Sequence, residues 1–247
     1  MKYLQLIFFT LIFSTYAHAE FQFSGFASVV GGKTISDDGD VFLADYPLVG
    51  LYGDELNFQP ETAVGFQARA DLEDGLSFTA QWIARGLDGF NSEVNYAYLS
   101  YELTDDLTIQ AGRKRLPLQF YSEFFDVGFA YPWIRPPVDL YTWQILNYNG
   151  FNLIHKSTIG EGALSTSFYM GREESKNNKL LSQFFFSEAT DEIWKDIMGV
   201  SLDYSINSIQ ALLSYTNFTE DTIFTTTGTA RTSELDKSID FIAAAIN

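Results

Sequence analysis

From residue 21 onward the chain alternates apolar and polar positions with a period of two, one segment after another. In residues 21–30, Phe21, Phe23, Ala27 and Val29 share one phase, and Gln22, Ser24 and Ser28 the other. The clearest case is 63–72, where Val64, Phe66, Ala68, Ala70 and Leu72 oppose Gln67, Arg69 and Asp71. That period places successive side chains on opposite faces of a β-strand. Glu73-Asp74-Gly75 supplies a tight turn, and 76–84 returns with Leu76, Phe78, Ala80 and Trp82 against Ser77, Thr79 and Gln81, which predicts a hairpin. Further hairpins are predicted for 94–103 with 107–115, for 151–157 with 163–171, and for 198–204 with 209–218. Residues 239–246 begin one more strand, giving about ten in all.

The connections follow a second rhythm. Short acidic or glycine-containing turns alternate with long polar segments at 31–60, 116–149, 172–195 and 219–238. Alternating short turns and long loops characterise outer-membrane barrels, whereas a soluble β-sandwich gives no reason for such regularity. The pattern therefore predicts an all-β fold, a transmembrane antiparallel β-barrel with its apolar strand phase toward lipid. No linker rich in Pro, Gly or Ser divides it, so residues 20–247 are expected to be one barrel domain.

The N-terminus fits export. Met1-Lys2 precedes an apolar run over 4–13 and then Ala17-His18-Ala19. This is the layout of a secretory signal peptide, too short to span a bilayer, with cleavage expected after Ala19. Small exported domains usually rely on disulfides, but this chain has no cysteine. It contains 23 Phe and 14 Tyr, yet its mean hydropathy is only -0.04. Strands that turn apolar residues to lipid and polar ones to a lumen produce that balance. The net charge of -17 argues against nucleic-acid binding.

Ala97-Tyr98-Leu99-Ser100-Tyr101, then Leu107-Thr108-Ile109-Gln110-Ala111-Gly112-Arg113, Leu116-Pro117-Leu118 and Tyr121 resemble the porin superfamily of Gram-negative outer membranes. Tyr131-Pro132-Trp133-Ile134-Arg135-Pro136-Pro137 looks like the long third loop of gammaproteobacterial porins. The resemblance implies a sixteen-stranded water-filled channel for passive diffusion of small hydrophilic solutes or ions, commonly a homotrimer. Its surroundings would be outer-membrane lipid and lipopolysaccharide, its third loop would fold inward, and no cofactor is implied. The chain stops at Ala243-Ala244-Ala245-Ile246-Asn247, where the family usually ends on an aromatic residue, so an N-terminal piece of a porin is expected.

Charges around the 116–149 loop are the candidates for pore selectivity, because charged constrictions decide which ions pass. They are Arg113, Lys114 and Arg115 at the end of a strand, with Arg135, Glu123, Asp126 and Asp139 in the loop and Arg69 on an earlier strand. Porins commonly oppose basic wall residues to acidic loop residues. Alternation turns Lys114 inward with Thr108, Gln110 and Gly112, whereas Arg113 and Arg115 fall in the lipid phase, requiring an aqueous rim or a bulge. Rim or loop salt bridges are the alternative role for all of these residues. Enzymatic chemistry is not expected: past residue 19 the only histidine is His155, and no Ser-His pairing, complete calcium loop or phosphate-binding glycine loop is present. Two other classes remain open at this stage, a non-conducting barrel adhesin or structural protein and a secreted carbohydrate-binding sandwich.

Overall fold

The computed structural model describes residues 20–35, 39–45, 47–131, 133, 141, 143–226 and 229–247, and only the backbone of 73, 225, 226 and 229–233. The signal segment 1–19 lies outside the described residues. The alternating stretches form β1 (Glu20–Ser28), β2 (Phe42–Asp45), β3 (Gly50–Tyr52), β4 (Ala63–Asp71), β5 (Leu76–Arg85) and β6 (Ser92–Thr104). They continue as β7 (Leu107–Arg115), β8 (Asn147–Ile159), β9 (Gly162–Ser175), β10 (Ala189–Ile206), β11 (Ile209–Thr226) and β12 (Thr229–Ile246). Ten of them make one antiparallel sheet in the order β1-β4-β5-β6-β7-β8-β9-β10-β11-β12, and β2 pairs with β3 in a separate hairpin. Among the described residues β1 pairs only with β4 and β12 only with β11, so this sheet is open.

Cross-strand pairing sorts the side chains into rows. One row joins Phe21, Ala70, Phe78, Leu99, Ala111, Phe151, Met170 and Met198 through eight neighbouring strands. The adjacent row, on the opposite face, joins Glu20, Asp71, Ser77, Ser100, Gln110, Asn152, Tyr169, Gly199, Thr216 and Phe241 through all ten. Phe151 is 60% exposed, whereas Thr216 is 1% exposed. The order usual in a water-soluble sheet is thus reversed: the apolar face is open and the polar face is covered.

The cover is the segment between β7 and β8, which crosses the polar face, here called the inner face. Leu116, Leu118 and Ile145 from this segment are buried with Tyr148, Tyr169, Trp194, Ile197 and Phe218 of the wall. The Leu116 amide donates to the Leu146 carbonyl (3.0 Å), and the Ser214 hydroxyl on β11 donates to the Leu118 carbonyl (3.2 Å). The Trp194 and Phe218 rings stack with centroids 3.8 Å apart, and Trp143 sets its edge against Phe241 at 4.4 Å. Aromatic pairs in such offset and edge-on arrangements add to the free energy of area burial.

Several inner aromatic rings lie flat because glycine sits beneath them. Phe26 pairs with Gly65 and Tyr169 with Gly199, and the ring in each case occupies the place of a Cβ at the glycine. Crossing Gly199 brings the Tyr169 hydroxyl to Thr216 Oγ1, two strands away, at 2.6 Å.

The structure departs from the expected connections at 219–238. Instead of a long loop, β11 runs on to Thr226 and β12 starts at Thr229. Thr222, Ile223 and Phe224 are strong strand formers, and a hairpin projecting beyond an apolar belt needs no apolar face, so its polarity imitates that of a loop. Within 31–60 the β2–β3 hairpin gives order to the first long connection. Since Trp194 is sealed beneath the crossing segment, Trp194→Ala is expected to destabilise the folded chain by about 3–5 kcal/mol. Phe185→Ala, at an exposed ring, is expected to cost less than about 1 kcal/mol. Urea unfolding of both variants followed by far-ultraviolet circular dichroism reads both.

Candidate functional site

The crossing segment carries a carboxylate, Asp126, into a basic corner of the wall. Arg85, the last residue of β5, places Nη2 2.8 Å from Asp126 Oδ1. Arg115, the last residue of β7, contacts the other oxygen through its own Nη2, and Asn95 Nδ2 of β6 donates to that oxygen at 3.1 Å. Three strands therefore hold a single loop side chain, of which 8% is exposed. Arg85 also contacts Glu93, and Asn95 donates to Gln81 Oε1 at 2.7 Å.

Neighbouring charges are matched in the same way. Arg113 Nη1 lies 2.5 Å from Glu173 Oε1, whose second oxygen accepts from Asn149. Arg69 lies 2.6 Å from Asp71 on its own strand. Lys114, 6% exposed, contacts Gln110 Oε1 while its ammonium sits 4.8 Å from the Tyr98 ring centroid. Lys114, Gly112 and Gln110 share one face of β7, and at Gly112 the backbone has φ +140° and lies so close to Ala97 and Tyr98 of β6 that a Cβ would not fit. Glu123 is exposed, within electrostatic reach of Tyr96, Tyr98, Lys114 and Tyr148.

The structure thus brings Arg115 and Asp126 into one cluster and places Lys114 and Glu123 along the same stretch of wall. Arg113 joins a second pair beside them, and Arg69 stands apart with Asp71. Arg135 and Asp139 lie outside the described residues. The β7–β8 register runs without a shift from Leu107↔His155 to Arg115↔Asn147, so no bulge in this pairing redirects Arg113 or Arg115. Both stand at the strand end, where their long side chains reach acidic partners. Arg85, Asn95 and Glu173 were missing from the candidates read from sequence. Arg85 continues the inner phase of Ser77, Thr79 and Gln81, and that phase was the available signal.

A cleft of about 290 Å³ opens beside the cluster, lined among others by Arg85, Arg113, Arg115, Asp126, Asn147 and Glu173. Pro47 and Leu48 of the first long connection close one side. Nearby, Asp45 of the β2–β3 hairpin accepts from the Leu48 amide at 3.0 Å. Burial pushes the Asp45 carboxyl up to about 6, against the opposing pull of the Leu48 amide and Arg85. Burial acts in the same direction on Asp126, but Arg115 and Arg85 outweigh it and hold that carboxyl below the usual carboxylate range. Comparison with protein-family models, curated proteins and solved structures finds no match to this chain.

Removing the charge of Asp126 leaves two guanidinium groups without their shared partner. Asp126→Asn is expected to destabilise the crossing segment by about 3–5 kcal/mol, seen as faster protease cleavage within 116–146 while β-sheet content is retained. For pH the two carboxyls act oppositely. Asp45, raised in the fold, adds stability as pH falls through about 6, and Asp126, lowered in the fold, loses its contribution only as pH falls below about 4. The loop assembly is therefore expected to be firmest near pH 4–5, and Asp45→Asn to remove the gain between pH 8 and 5. Because Asp45 is half-buried, that gain is about 1–2 kcal/mol, read from urea midpoints of both proteins across the range.

Proposed function

We propose that this chain forms the wall of an outer-membrane porin, a water-filled channel for passive diffusion of small hydrophilic solutes or ions. The observation that carries the reading is the pair of adjacent rows: a largely exposed apolar row across eight strands, and behind it a row across ten, mainly polar up to Asn152 and at Thr216, that the 116–146 segment partly covers. An exposed surface of Phe, Leu and Met on this scale is matched by hydrocarbon, and a polar inner face by water. No described helix is long and apolar enough to cross a membrane, which leaves the strands to do so.

Lipid also demands closure. Each unpaired backbone group at a sheet edge costs several kcal/mol in hydrocarbon, so the free edges of β1 and β12 require partner strands. The sixteen-stranded barrel of the porin superfamily, its homotrimeric assembly and its contacts with lipopolysaccharide belong to this proposal. The 116–146 segment then narrows the channel, held on one side by Asp126 and on the other by the aromatic cluster.

The test is planar-bilayer recording from the full chain, folded in detergent and shown to migrate as a heat-modifiable species. Stepwise currents are the expected result. A folded species that yields no current overturns conduction in favour of an adhesive or structural barrel, and a chain that stays soluble and folded without detergent overturns the membrane reading altogether.

A further inference from the structure

The aromatic attachment of the crossing segment ends at two carboxyl groups to which the pore reading gives no role. On β10, Glu192 is 1% exposed and accepts from the indole of Trp194, whose Nε1 lies 2.9 Å from its Oε1. The Thr222 hydroxyl of β11 donates to its other oxygen at 3.2 Å. The Glu220 side chain completes the set: it pairs with Trp194 across the β10–β11 register, stands on the same inner face and hydrogen-bonds Glu192. An ionised carboxylate only accepts, so two carboxyl groups in such contact hold a proton between them.

On the opposite face of these strands Lys195 pairs with Asp221 and Asp236, which sets this part of the hairpin beyond the apolar belt. Among the described charges that face the pair, Glu173 of β9 is tied to Arg113, and Lys237 and Glu234 of β12 lie 3.2 Å from each other. Trp143, from the crossing segment, brings no charge. The pair therefore fixes the Trp194 indole, and the indole holds the segment: it stacks on Phe218 and meets the edge of Trp143, with centroids 6.2 Å apart.

Burial, and after it Glu220, push the Glu192 carboxyl up to about 9. Lifting the segment from Trp194 admits water to the pair, and a hydrated carboxyl returns to the ordinary range and gives up its proton. Lifting therefore becomes easier by up to about tenfold per pH unit as pH rises toward the raised value, and no easier above it. We infer that Glu192 and Glu220 form a proton-held latch on the crossing segment, closed while the two carboxyls share a proton and released when that proton passes to base in the solvent. On the reading of this chain as a porin, the latch makes the narrowing of the channel respond to pH.

The experiment follows cleavage within 116–146 by proteinase K, for the full chain folded in detergent, between pH 7 and 9. Each rate is divided by that of a peptide substrate at the same pH, and where opening is fast against cleavage the quotient follows the open population. Asp45, raised to about 6, has its effect mostly below this range. The wild-type rate is expected to rise about tenfold or more from pH 7 to 9. Glu220→Gln, whose amide donates to an ionised Glu192, and Glu192→Gln are each expected to change less than about twofold over the same range. Both keep the size of the side chain they replace, circular dichroism checks that they fold, and either folded variant suffices. A wild-type rate that stays flat overturns the inference, as does a full slope that persists in a folded variant. Conduction is tested separately by the bilayer recording, so failure of the latch and failure of the pore are told apart.

Discussion

Direct pairing of antiparallel strands across ten positions is the constraint from which the other features of this chain follow. Because side chains alternate with a period of two, each strand must keep its register for Phe78, Leu99, Phe151 and Met170 to meet on one face. A slip of one residue would send those groups inward and turn Ser100, Gln110 and Asn152 outward. Register shifts occur near Gln81–Trp82, Glu102–Thr104, Trp194–Met198 and Glu220–Ile223, and the row through Phe78, Leu99, Phe151 and Met170 runs clear of all of them.

A single sheet with its apolar face outward has no second layer to build a core, and here the chain supplies one from within. The 116–146 segment meets β10, β11 and β12 through Leu118, Trp143 and the stacked Trp194–Phe218 pair, and meets β5, β6 and β7 through the carboxylate of Asp126. The two attachments differ in kind. The apolar one gains from removal of surface from water, and the ionic one depends on several donors converging on one side chain, without which the desolvation of Asp126 would not be offset. Together they fix the segment at opposite sides of the wall.

Much of the sheet was legible in the sequence because the outer phase is cleanly apolar: Val64, Phe66, Phe78 and Trp82 announce both the strands and their facing. The inner cluster was harder to read. Arg85 sits at a strand end after Ile83 has blurred the inner phase, and its partner Asp126 is 41 residues away on an irregular segment. Alternation also assigned Arg115 to the outer phase, where a short side chain would indeed point. A guanidinium at the last position of a strand has the reach to turn back toward a loop carboxylate, so periodicity foretells less there than it does mid-strand. The 219–238 region was misread for a related reason: polar strands that extend past an apolar belt lack the one-sided pattern by which strands are recognised.

The flat rings over glycine bear on how much room such a wall encloses. A tyrosine standing upright on a pleated sheet reaches well into whatever the sheet surrounds, but Tyr169, laid across Gly199 and tied to Thr216, takes up little more than the thickness of its ring. Phe26 over Gly65 does the same near the first strand. In the barrel proposed above, the clear bore would depend on side-chain thickness as much as on strand number, and exchanging a single glycine for alanine would lift an aromatic ring off the inner face without moving a strand.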